Sequence, residues 1–145
     1  MAKKQKLRIR PTEIVQKGSL IRPSQINEKP EKVSFNFCRL HSKQDKFQFE
    51  HREARYFVKL IERLKAVCDF TKQEILSNRS DSLRCHPIDF VNTSECGFSS
   101  NNDLDAEAYQ FGISQHEHGR VHGYFVRNVF YVVWLDPDHE LYSGK

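Results

Sequence analysis

The residues best equipped for chemistry are histidines and arginines crowded into the second half of the chain: Arg79, Arg84, His86, His116, His118, Arg120, His122 and His139, with Tyr142 close behind. Imidazole nitrogen is a common zinc ligand, so a metal site at His116, His118 and His122 is one reading. Their spacing opposes it, because a hairpin would hold the first two at its turn and His122 further up one strand. The other reading is proton transfer at a phosphodiester, where histidine or tyrosine exchanges a proton and arginine stabilises charge developing on phosphate. Arg120 and His122, two residues apart in a strand, share a face. His139 and Tyr142 follow Asp136-Pro137, and an antiparallel sheet can return that segment beside its neighbours. Arg120, His122, His139 and Tyr142 are therefore the candidate catalytic set, with no metal or cofactor. Each alone reads more readily as a solvated or hydrogen-bonded side chain, so the set rests on joint placement.

Other chemistries lack their motifs. The sequence has no phosphate-binding glycine loop, no H-E-x-x-H pair, no nucleophile elbow and no EF-hand loop.

The elements that must position these residues are legible in the hydrophobic pattern. Val33, Phe35 and Phe37 alternate with polar residues as a half-buried strand does, and Phe47 and Phe49 repeat the alternation after a polar turn, which predicts a hairpin. Phe57, Leu60, Ile61, Leu64, Val67 and Cys68 form one helical stripe, with Lys59, Glu62, Arg63 and Lys65 facing away. Thr71 and Glu74 make a capping box that opens a second, short helix ending near Asn78. Leu83 to His86, before Pro87, reads as a short extended segment. Residues 91–107 read as a polar loop with a helical turn near Asp103 to Ala108. Strands then follow at Tyr109–Ile113, Val121–Val126 and Val129–Leu135, the last two joined through Arg127-Asn128. The last strand is apolar on both faces, so it should be central, with the long helix over one side. The expected fold is α+β: an antiparallel sheet of about four to five strands packed on one long and one short helix.

Charge divides the chain in two. Residues 1–32 hold nine Lys/Arg against three acids, whereas the remaining 113 residues hold fourteen against sixteen. Residues 1–32 therefore read as a basic, flexible arm and residues 33–145 as a single domain. Nucleic-acid contacts are expected from Lys3, Lys4, Lys6, Arg8 and Arg10 in the arm and from Arg79 and Arg84 in the domain. The four cysteines, Cys38, Cys68, Cys85 and Cys96, show no C-x-x-C pair, and no apolar leader precedes them, which suits reduced thiols in a cytoplasm. The longest strongly apolar run, Val129 to Leu135, is too short for a membrane span.

The stretch from Arg120 through Leu135, closing with His139-Glu-Leu-Tyr142, resembles the C-terminal half of the RelE/ParE toxin superfamily. The likeness lies in an arginine-bearing strand, a tight polar turn, an apolar central strand, and a terminal segment with histidine and then tyrosine. The preceding strand, helix, helix order is similar too. The resemblance implies a bacterial toxin–antitoxin endoribonuclease that cleaves messenger RNA, often on the ribosome, by metal-independent attack of a ribose 2′-hydroxyl, and that is held by a cognate antitoxin. It implies phosphate contact for Arg120 and reacting positions for His139 and Tyr142. Glu140 stands where the family commonly has a basic residue, and the arm and the 91–107 loop are additions. The alternative is a non-catalytic binding module, a regulatory or defence-system protein that uses the basic arm and the sheet face to hold a protein or nucleic acid.

Overall fold

The computed structural model describes residues 31–43, 45–77, 83–98, 107–115 and 117–142. The expected helical turn near Asp103 and the arm residues before Glu31 lie outside them, as do Arg79 and His116.

The molecule is α+β. Strand β1 (Ser34–Asn36) leads to helices α1 (Ala54–Val67) and α2 (Lys72–Ser77), then to strands β2 (His86–Pro87), β3 (Ala108–Gly112), β4 (Arg120–Val126) and β5 (Val129–Asp136). The five strands form one sheet in the order β1-β5-β4-β3-β2. Neighbours pair antiparallel except β1 and β5, which run parallel, Ser34 opposite Val129. The sheet is therefore mixed rather than antiparallel throughout.

The expected hairpin partner of β1 is not a strand. Phe47 lies in a 3-10 turn at Asp45–Phe47, completely buried, with its ring stacked 4.7 Å from that of Trp134 on β5. Alternating phenylalanines are satisfied here by plugging a sheet face rather than by lining one.

Helix α1 packs Tyr56, Leu60, Leu64 and Val67 inward, one row at near-helical spacing. The stripe is rotated from the expected one: Ile61 is 62% exposed. Arg63 does not simply face solvent, since its Nε donates to the carbonyl of Ile113 at 2.9 Å. The capping box forms as expected, Thr71 N donating to Glu74 Oε2 at 2.8 Å and Glu74 N to Thr71 Oγ at 3.2 Å.

Each face of the sheet covers a core. Beneath the helices, Leu60, Leu64, Val67 and Ile75 meet Phe111, Val121, Phe125, Phe130, Val132 and Leu135. On the opposite face Phe47, Ile88, Tyr124, Val133, Trp134 and Leu141 form a second cluster, roofed by turns and loops instead of helices. A β-bulge divides β4 and β5: His122 pairs with Trp134, but Gly123 pairs with Val132, leaving Val133 as the extra residue. Gly123 allows it, because a Cβ there would lie 2.0 Å from the carbonyl oxygen of Tyr131. The bulge turns both Val133 and Trp134 toward the second face.

Candidate functional site

The candidate residues meet on the second face, at the end where β4 begins and β5 ends. Strand register places Gln110, His122 and Trp134 in one row and Gly112, Arg120 and Asp136 in the next. Gly112 lies beside its neighbour, since a Cβ there would stand 3.6 Å from Arg120 Nη1, an ordinary contact distance. That Nη1 is buried with no hydrogen-bond partner among the described residues. Burial lowers the Arg120 pKa, and the nearby charge of Arg84 lowers it further, while Tyr142 and Asp136 act the other way. Arg84 and Tyr142 thus lie within electrostatic reach of Arg120, and an anion between like charges would stabilise them.

Asp136 ties the end of the chain to this row. Its carboxylate accepts from His122 Nε2 at 3.1 Å, from Glu140 N at 2.7 Å and from Leu141 N at 3.0 Å. Burial pushes its pKa up, but these hydrogen bonds outweigh burial and hold it below the usual carboxylate range. His122 is completely buried. Burial pulls its pKa down more than Asp136 raises it, so the ring is neutral and donates from Nε2. The remaining Nδ1 has no partner. As a bare lone pair it costs less than an unpaired N–H would in the same place.

The closing segment, residues 137–142, is fastened at several points. Ser94 donates from both N and Oγ to the Leu141 carbonyl at 2.9 Å, and Arg52 pairs with Asp138. His139 and Tyr142 are left on the exposed side.

On the neighbouring edge, His86 Nδ1 lies 2.8 Å from the Arg84 carbonyl and Nε2 lies 2.7 Å from Gln110 Nε2. These partners fix the tautomer: Nδ1–H donates to the carbonyl, and Nε2 accepts from the amide. Gln110 Nε2 also donates to Tyr142 Oη at 3.3 Å. An oxygen engaged as an acceptor toward Gln110 leaves the Tyr142 hydrogen free to point away from it. Burial and the Asp89 carboxylate raise its pKa, so it is a neutral donor at physiological pH. Arg84 and His139 both carry positive φ, 49° and 56°. Residues other than glycine rarely adopt that backbone, and such strain gathers at functional sites.

Of the four candidate catalytic residues, Arg120 and Tyr142 lie within electrostatic reach of each other, and the exposed His139 lies within such reach of His122. His122 lies beneath them, enclosed, where it positions Asp136 instead of reaching a ligand. Arg84 joins the site, whereas Lys3, Lys4, Lys6, Arg8, Arg10 and Arg79 lie outside the described residues. Gln110, Asp136 and the engagement of His86 were not anticipated. A signal existed for Gln110, a polar residue on the inward face of an otherwise apolar strand.

Across the closing segment, beside the start of α1, lies an open cleft of about 980 Å³ lined by Lys46, His51, Arg52, Arg55, Tyr56, His118 and Asp138, among others. It mixes both signs of charge. Among the described residues no cluster of three or more His, Cys, Asp or Glu side chains is arranged to hold a metal ion. All four cysteines are free thiols, and no helix among the described residues is long and apolar enough to cross a membrane.

Comparison of the chain with protein-family models, with curated proteins and with solved structures finds no match to any of them.

Proposed function

We propose that the chain is a RelE-like, toxin-type endoribonuclease that cleaves RNA without a metal. One observation carries the reading: Arg120 keeps a buried Nη1 unpartnered, with Arg84 and the neutral Tyr142 within electrostatic reach of it.

In this reading Arg120 and Arg84 hold the non-bridging oxygens of one phosphodiester and stabilise the charge that accumulates as phosphorus becomes five-coordinate. The 2′-oxygen attacks phosphorus while its proton passes to His139. The bond to the 5′-oxygen breaks, and that oxygen takes the outward hydrogen of Tyr142. The products are a 2′,3′-cyclic phosphate and a 5′-hydroxyl, so atoms and charge balance without hydrolysis. Messenger RNA, free or on the ribosome, is the proposed substrate, a cognate antitoxin the proposed restraint, and a bacterial cytoplasm the proposed setting.

The test is cleavage of end-labelled RNA in the presence of a chelator. Arg120→Ala and Tyr142→Phe should each slow cleavage by about 100-fold to 10,000-fold while keeping the parent circular dichroism. Intact RNA with the wild-type protein, with and without ribosomes, would overturn the reading.

A second reading, a non-catalytic binding module, is favoured by the cleft beside α1, whose mixture of charges suits a polar protein segment. If that reading holds, Arg55→Glu abolishes partner capture and Arg120→Ala leaves it unchanged.

A further inference from the structure

The amide of Gln110 is the only link between His86 and Tyr142 that the hydrogen bonds of the described residues provide, and it is 2% exposed on the sheet face. As it stands, its NH2 group faces both partners, and its Oε1 is buried with nothing to accept from. The nitrogen is placed there by chemistry: a neutral His86 with its hydrogen on Nδ1 offers only a lone pair at Nε2. A protonated His86 would offer a hydrogen instead, and the present amide would meet it donor to donor.

We propose that Gln110 is a proton-operated switch that couples His86 to Tyr142. While His86 is neutral, the amide donates to both residues and the tyrosine hydrogen points outward. When His86 gains a proton, the amide turns over and presents Oε1 to both. Nε2–H of His86 then donates to that oxygen, and the hydroxyl of Tyr142 rotates inward to donate to it as well. The hydrogen that served the site is captured. The turned amide buries its NH2 where the unturned one buries only Oε1, and an unmade N–H is the less tolerated of the two. The outward state is therefore the resting one, and only the proton on His86 reverses it.

The charged and titratable neighbours of this row are Arg84 before β2, Asp89 after it, Arg120 and His122 on β4, Asp136 on β5 and His139 in the closing segment. None of them replaces Gln110 as the bridge. His122 stays neutral because it is buried, Asp136 is committed to backbone and His122, and Asp89 favours the protonated phenol.

As a device of the catalytic site, the switch rests on the ribonuclease reading, but its test needs no RNA. Nitrogen-15 and carbon-13 NMR of the full chain should show His86 as the Nδ1–H tautomer at alkaline pH. The Tyr142 ring carbon bearing oxygen should then shift with the same midpoint as the His86 imidazole. Gln110→Leu should remove the shared transition. Gln110→Glu, which offers acceptor oxygens and lacks the amide NH2, should hold the Tyr142 hydrogen inward and slow cleavage at least tenfold. An Nε2–H tautomer in the wild type, or a Tyr142 signal indifferent to the His86 titration, overturns the switch, and the wild-type spectra decide this even if a variant fails to fold. RNA left intact by a protein that shows the coupled titration overturns the ribonuclease reading alone.

Discussion

Asp136 has three donors converging on one carboxylate at 1% exposure, and two of them are the backbone of the segment that carries His139 and Tyr142. Asp136→Ala leaves all three donors unpaired and should cost about 3 kcal/mol or more in urea unfolding, with Asp136→Asn milder. The pH dependence follows from the same pair. The folded chain refuses the proton on His122 that the unfolded chain accepts, so stability is lost as pH falls below about 6.5. Asp136, with its folded pKa depressed, adds stability that is present above the ordinary carboxylate range and lost as pH falls through its lowered value. Both effects act in one direction: unfolding midpoints should be flat above neutrality and drop on acidification. A midpoint that rises between pH 7 and pH 5 would show that His122 is charged in the folded protein. The sequence disclosed that Arg120 and His122 share a face but not that His122 is enclosed. Alternation assigns a side chain to a face, whereas the cover over this face comes from turns and loops that leave no periodic trace.

At the scale of elements, what could be read were those held by local pattern. Strands β3, β4 and β5 and the capping box of α2 follow from alternation and from Thr71 and Glu74 alone. Thr71→Ala removes one of the two reciprocal bonds and should cost about 1 kcal/mol. The bulge between β4 and β5 could not be read, because it depends on which residues face each other across strands. Gly123→Ala forces a methyl against the Tyr131 carbonyl and the Phe130 ring, and should cost about 3 kcal/mol or more, or shift the register of the pair. Hydrogen exchange along β4 and β5 distinguishes these outcomes. The phenylalanines at 47 and 49 misled for a related reason: two alternating aromatics suit a strand and equally a buried 3-10 turn.

For the molecule as a whole, the α+β class and the interior place of the last strand were legible, although β4 and not β5 is the middle strand, and the partner of the first strand was not. The described fold is already engaged at its first residues. Glu31 accepts from Asn128, Lys32 bridges to Thr71, and Val33 is buried. A chain starting at Glu31 should therefore unfold cooperatively with little loss of midpoint, and one starting at Phe37 should lose most of its stability, because β5 is then stripped of its parallel neighbour. Thermal melting compares the two, and a collapse of the longer chain would place part of the fold before residue 31.

The parallel pairing of β1 with β5 also bears on how the molecule is made. Ser34 waits for Val129, 95 positions later, so the edge of the sheet is sealed only after nearly every other element has been synthesised. Until then α1 and α2 lack Phe130, Val132 and Leu135 of β5, and part of their apolar rows stays open to solvent. Closing so long a loop is entropically unfavourable before its contacts reward it, which makes the docking of β1 a late and slow event. An emerging chain should therefore remain sensitive to protease within α1 until β5 is released, and become resistant in a single late step.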